Sequence, residues 1–236
     1  MKKILFFLFV FLFVLFIYLA NKDNKIYYLA LGDNNDYFFY IKNYLEEKKV
    51  LEKAVYNYGD SKDRITDIYL KIMNNVKDDN YYLKNSLVKA DLLSLKINID
   101  DIYDIVGLES LDYIYNYIDD LSVDFENLVV LIRKYCKEDI IFIGFEYHGD
   151  YEKEYINYLN RKFKHICDKY SVIFVDNSKY LKDDIIQKID KNLFESWFLF
   201  WCLLQYIRLL ISMAFFSHGG RRDENEKRYS SWVYGY

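Results

Sequence analysis

Ile26-Tyr27-Tyr28-Leu29-Ala30-Leu31-Gly32-Asp33-Asn34 decides the fold. Six consecutive apolar residues bounded by a turn read as a strand buried on both faces. Gly-Asp after such a run predicts a sharp turn at the strand's carboxyl end. The chain then alternates. A helical pattern covers Asp36–Lys49, with Phe39, Ile41, Tyr44 and Leu45 apolar. Lys53–Asn57 reads as a short strand, and Asp63–Val76 as a helix with Ile65, Ile68, Tyr69 and Ile72 on one face. A short helix at Leu83–Lys89 precedes a strand at Leu92–Ile97. Leu111–Tyr135 is a long helix, Ile140–Phe145 an apolar strand, Tyr151–Tyr170 a helix and Val172–Val175 the last clear strand. In the Tyr151–Tyr170 helix the expected inward face is Tyr155, Tyr158, Leu159, Phe163 and Ile166.

Alternating apolar strands and amphipathic helices predict an α/β fold: a flavodoxin-like, three-layer α/β/α sandwich with a parallel sheet of about five strands. Sites in such sheets form at the carboxyl ends of the strands. Those ends carry Gly32-Asp33-Asn34, then Asn57-Tyr58-Gly59-Asp60-Ser61-Lys62-Asp63-Arg64-Ile65-Thr66-Asp67. The third is Ala90-Asp91-Leu92-Leu93-Ser94-Leu95-Lys96-Ile97-Asn98-Ile99-Asp100-Asp101.

These three blocks, in this order, resemble those of the SGNH (GDSL-type) esterase and lipase family. The first block of that family is a strand followed by Gly-Asp-Ser. The second reads Asn-x-x-x-Ser-Gly-x-x-Ile-Thr-Asp, and the third ends Ser-Ile-Gly-x-Asn-Asp. Ile140–Gly144 and Tyr170–Asp176 resemble the later strands, so the likeness runs from Ile26 to Asp176. The resemblance implies a serine ester hydrolase scaffold that needs no cofactor or metal. It also shows what has changed. Asn34 stands at the nucleophilic serine, and a carboxamide is not an acyl-transfer nucleophile. Lys62 replaces the glycine whose N–H serves the oxyanion hole, with Gly59 and Ser61 beside it. Asp100 replaces the asparagine that donates to the oxyanion, and an ionised carboxylate only accepts hydrogen bonds. Of that ending Asp101 remains. Losing one such donor costs about 10²–10³ in rate. The family's Asp-x-x-His block is missing, because Phe145, Lys162 and Phe215 stand three residues before His148, His165 and His218. The expected outcome is a retained scaffold with a dismantled hydrolytic site. An active ester hydrolase with a rearranged site, with Ser61 as substitute nucleophile, is the rival. A purely structural membrane protein is a third reading.

Asp33, Asp36, Asp60, Asp100 and Asp101 all fall at strand ends. Converged, they would suit a cation; dispersed, they cap helices and satisfy turns, which is the expectation. Cys136, Cys167 and Cys202 follow no metal spacing. Cys136 and Cys167 are expected in helical segments as small buried apolar residues, a disulfide between them being the alternative outside the cell.

The chain of 236 residues carries a net charge of −4 with acids and bases interspersed, which offers no basic stripe for nucleic acid. Proline is absent and tyrosine reaches 26 residues, as a strong A/T codon bias would produce. Lys2-Lys3 precede an uninterrupted apolar run from Ile4 to Ala20, which reads as a signal anchor with a cytoplasmic N-terminus rather than a cleaved signal peptide. Residues 1–23 are therefore expected to be a membrane helix, and 24–194 the α/β domain on the extracytoplasmic side. Residues 195–236 hold a second apolar stretch, Trp197–Phe216, interrupted by Gln205 and Arg208 and followed by Arg221, Arg222, Lys227 and Arg228. A second membrane span is one reading. The other is a non-native tail from a frame change, since Trp197, Trp201 and Trp232, all the tryptophans of the chain, lie there. The partners expected are the membrane and a cell-envelope glycan or ester ligand.

Overall fold

The computed structural model describes residues 25–56, 58–78, 81–106, 108–147, 152–177 and 185–190. The chain falls into two compact units, Met1–Ile186 and Gln187–Tyr236. The sheet and its helices belong to the first. Of the second, the first four residues are described, continuing a helical turn begun at Ile185.

Five parallel strands form the main sheet: β1 (Ile26–Gly32), β2 (Leu51–Val55), β5 (Leu92–Lys96), β6 (Asp139–Ile143) and β7 (Ile173–Val175), in the order β2-β1-β5-β6-β7. This is the flavodoxin-like order, with its switch point between β1 and β5. Register is tight across that junction, pairing Tyr28 with Leu92 through to Gly32 with Lys96. Every residue of β1 is buried, as the opening run requires.

The helices are α1 (Asn35–Glu47), α2 (Ile65–Met73), α3 (Leu83–Lys89), α4 (Asp100–Ile105), α5 (Leu111–Tyr135) and α6 (Lys153–Lys169). Strand alternation sends Tyr27, Leu29, Leu31, Leu93, Leu95, Ile140 and Phe142 into one core with α2, α3, α5 and α6. Phe125, Phe142 and Phe163 fill its centre, with Phe125 stacked on Phe163 at 4.0 Å between centroids. Tyr28 faces the other way and stacks on Phe38 of α1 at 5.6 Å. Helices thus cover both faces, giving the expected three layers.

Differences from the sequence reading are local. The edge strand β2 begins two residues before the expected Lys53, because its half-exposed residues lack an apolar signature. Phe39 is 54% exposed, while Tyr37 and Phe38 turn inward with Ile41 and Leu45. Tyr158 is half-buried, and Ile156, Asn160 and Cys167 join the inner face of α6. The short antiparallel pair β3 (Lys77–Asp78) and β4 (Tyr81–Tyr82), and α4, were not expected; two-residue strands leave no period to read. Cys136 lies at the C-cap of α5, not within it. Cys136 and Cys167 are buried, and no disulfide joins them.

The expected anchor Ile4–Ala20 and the stretch Trp197–Phe216 lie outside the described residues. Among the described residues, no helix is long and apolar enough to cross a membrane.

Candidate functional site

The site region is the carboxyl edge of the sheet at the β1/β5 switch point. Gly32 sits at φ +77, where a Cβ would collide with the Lys96 carbonyl oxygen. Only glycine fits a positive φ at such close approach. Asp33 N–H then donates to that carbonyl at 3.0 Å, and Asn34 N–H to Gly32 O at 2.8 Å. The turn is thereby tied to the end of β5.

Asn34 follows at the head of α1, but its side chain does not cap the helix. It turns into the domain with no exposed surface. Its Nδ2 donates to Ser94 Oγ at 2.6 Å, and Ser94 Oγ shares a hydrogen with Tyr28 OH at 2.7 Å. Among the described residues, Asn34 Oδ1 has no hydrogen-bond partner. Burial pushes the Tyr28 phenol far above its ordinary range, opposed by the Ser94 hydrogen bond, so the hydroxyl pair stays neutral. Position 34 is therefore an interior strut between β1 and β5, held away from solvent.

In the second block Gly59, not position 62, makes the close approach: a Cβ there would lie 2.5 Å from the Tyr56 ring and 2.9 Å from Gly32 O. Lys62 is exposed in a turn, and its N–H donates to Asp60 Oδ1 at 3.0 Å. Ser61 is exposed and its carbonyl accepts from Asn98 Nδ2 at 3.1 Å. The loop folds around Asp63, whose two carboxylate oxygens receive Lys71 Nζ at 2.7 and 2.6 Å. Burial raises the Asp63 carboxyl, opposed by Lys71.

At the end of β5, Asp100 is exposed in the first turn of α4. Asn98 Nδ2 donates to its Oδ2 at 3.0 Å, and Asp100 N–H returns to Asn98 Oδ1 at 2.9 Å. Asp101 pairs with Arg64 at 2.7 Å. Asp60, Asp100 and Asp101 thus each have a different partner. Among the described residues, no group of three His, Cys, Asp or Glu side chains is placed to hold a metal ion.

Four residues not singled out from the sequence complete the region. Lys96, at the end of β5, lies over the Tyr37 ring at 4.9 Å and 4.0 Å from Glu146. Tyr103 OH donates to Glu146 O at 2.7 Å. Asp33 is raised above the ordinary carboxylate range by burial; Lys96 opposes this, while Asp100, Asp36 and Glu146 add to it. A lysine ending an otherwise apolar strand, Leu92-Leu93-Ser94-Leu95-Lys96, was the signal available. Asn98 stands where the family pattern has glycine, and its amide pins the second block to the third. Beside it, a cleft of about 300 Å³ is lined by Arg64, Ile65, Asn98, Asp101, Tyr117 and Asp124 among others. His165 is exposed on α6, and His148 and His218 lie outside the described residues.

Solved structures share this fold. The acetylxylan esterase Axe2 from Geobacillus stearothermophilus superposes with a TM-score of 0.50 at 17% identity, over 68% of this chain and 79% of that one. A catalytic mutant of the same enzyme gives 0.51 at 18% identity over the same shares. Phospholipase A1 from Streptomyces albidoflavus NA297 follows at 0.44 and 14% identity, over 64% of this chain and 79% of that one. Neither a protein-family model nor a curated protein sequence matches the chain. At 17–18% identity the likeness to Axe2 speaks for the fold alone: an SGNH-hydrolase-like α/β sandwich.

Proposed function

We propose that this chain is a membrane-anchored, outward-facing SGNH-like protein that has lost serine hydrolase activity and binds a cell-envelope ligand or partner protein. One observation carries the reading. The residue at the nucleophile's place, Asn34, is buried, and its amide is bonded to Ser94. Two more support it. The Lys62 N–H is already bonded to Asp60, and Asp100 brings a carboxylate where the resemblance calls for a donor. Acyl transfer needs an activated nucleophile and donors aimed at the oxyanion, and these residues supply neither. The cleft between Arg64, Asn98, Asp101 and Tyr117 offers aromatic and hydrogen-bonding groups of the kind that hold a sugar. An acylated glycan is the ligand class proposed, in keeping with the acetyl-xylooligosaccharide esterase named among the structural neighbours.

The test uses the full-length protein in detergent. A fluorophosphonate probe is expected to label no serine, and acetylated xylo-oligosaccharides are expected to bind without release of acetate. Labelling abolished by Ser61→Ala would establish the rival, an active hydrolase with a rearranged site. Binding by neither glycan nor envelope protein would favour the structural reading.

A further inference from the structure

The opposite pole of the domain, where the parallel strands begin, differs in chemistry from the site. Helices here run back along the strands, so their last turns gather at that pole. Lys53 of β2 lies over the Tyr81 ring at 3.7 Å and near the Tyr27 ring at 5.6 Å, and Lys89 approaches Tyr81 from α3 at 5.8 Å. Lys77 lies over Tyr82 at 5.9 Å. Lys84 and Lys134 flank the Tyr135 ring at 5.6 and 5.7 Å. Lys25, just before β1, donates to Lys49 O at 3.1 Å, which brings the end of α1 into the same surface. Lys53, Lys77, Lys84, Lys89 and Lys134 take part in none of the ion pairs among the described residues. Nearby Asp91 is bonded to Tyr27 N–H, and Glu46 to Lys42, leaving Glu47, Glu52, Asp78, Glu138 and the half-buried Asp139 as the pole's counter-charges among the described residues. Met73, Tyr81, Tyr82 and Val88 are 43–65% exposed in the same region.

Lysine at helix C-termini follows from the macrodipole, and that accounts for Lys89 and Lys134. It does not account for Lys25, Lys53 or Lys77, nor for exposed tyrosines and aliphatics between them. Ammonium groups interleaved with tyrosine rings and exposed apolar side chains match the interfacial zone of a bilayer. The tether points the same way. Residues 21–24 alone separate Ile4–Ala20 from Lys25, and four residues reach roughly 14 Å when extended. If Ile4–Ala20 spans the bilayer, this pole is held close to the lipid surface and the site faces away.

We propose that the strand-start pole, centred on Lys53, Lys77, Lys89, Tyr81 and Tyr82, docks on anionic phospholipid headgroups. The orientation rests on the anchored reading above; the surface chemistry does not.

The test reconstitutes the full-length chain into vesicles of phosphatidylcholine, with or without phosphatidylglycerol, and acylates lysines with a membrane-impermeant reagent read by peptide mass spectrometry. Lys77 and Lys89 are expected to react about five-fold more slowly or less in the anionic vesicles, from an attraction of roughly that factor per lysine. High salt should abolish the difference, and Lys62 at the other pole should react equally in both. Lys49, at the end of α1 on the same surface, should be protected with them, and the variant Lys77→Gln/Lys89→Gln/Lys134→Gln should restore its reactivity. Alkaline carbonate extraction, run in parallel, tests the anchor separately. A chain that washes off overturns the anchor while protection of Lys77 and Lys89 still supports docking. Equal acylation in both vesicle types overturns docking, whatever the extraction shows.

Discussion

The ends of β1 and β6 are built alike and have different fates. Each carries a glycine and relies on a buried asparagine. At β6, Asn160 of α6 accepts from Phe145 N–H at 2.9 Å and donates to Phe145 O at 2.8 Å, satisfying both backbone groups of one residue. At β1, among the described residues, Asn34 makes one side-chain bond, to Ser94, and leaves Oδ1 unpaired in the interior. A buried polar group without a partner costs about 1–3 kcal/mol. The first asparagine belongs to the scaffold. The second is the less satisfied of the two, in a turn fixed by Gly32 and Lys96.

Breaking the glycines should separate the two ends most. Gly32→Ala meets backbone at a positive φ, and a loss of about 3 kcal/mol or more in denaturant unfolding is expected. Gly144→Ala meets the end of the Phe174 ring at 2.8 Å and Val175 O at 3.0 Å. The ring can shift, so about 1–2 kcal/mol is expected. The asparagines come next. Asn160→Ala strands two buried backbone groups and should cost about 2–4 kcal/mol. Asn34→Ala loses one hydrogen bond but also removes the unpaired oxygen, and Ser94 keeps Tyr28, so less than about 1.5 kcal/mol is expected. Equal losses at positions 34 and 160 would erase the comparison.

The smallest effect is electrostatic. Burial raises the Asp33 carboxyl above its unfolded value, so the folded state holds this proton more tightly. The contribution is full below the unfolded pKa and is lost as pH rises through the folded one. Asp33→Asn, which cannot ionise, should flatten the decline in melting temperature on the alkaline side of pH 4. An unchanged slope would remove Asp33 from the account.

The scaffold was legible because its strands are buried on both faces. Leu92–Leu95 and Ile140–Ile143 admit little but apolar residues, so their extents followed from the sequence to within a residue or two. β2 was blurred because an edge strand half open to solvent has no such restriction. The substitutions at positions 34, 62 and 100 were visible against the family pattern. The direction in which Asn34 turns was not, since an asparagine after a strand serves equally as a helix cap. Lys96, Glu146 and Tyr103 also escaped notice, because their meeting depends on strand order and on loops of different blocks. The bracing role of Asn98 was equally hidden, since it depends on two partners, Ser61 O and Asp100.

The central claim is that hydrolysis was lost at several positions, not by one exchange at residue 34. Hydrolysis of p-nitrophenyl acetate by full-length Asn34→Ser tests it most directly, with retained folding checked by circular dichroism. The account predicts turnover no higher than that of the unaltered protein, since no Asp-x-x-His base is restored, Lys62 N–H remains bonded to Asp60, and Asp100 still carries its charge. Clear catalytic turnover by that single variant, with the new serine labelled by a fluorophosphonate, would contradict it.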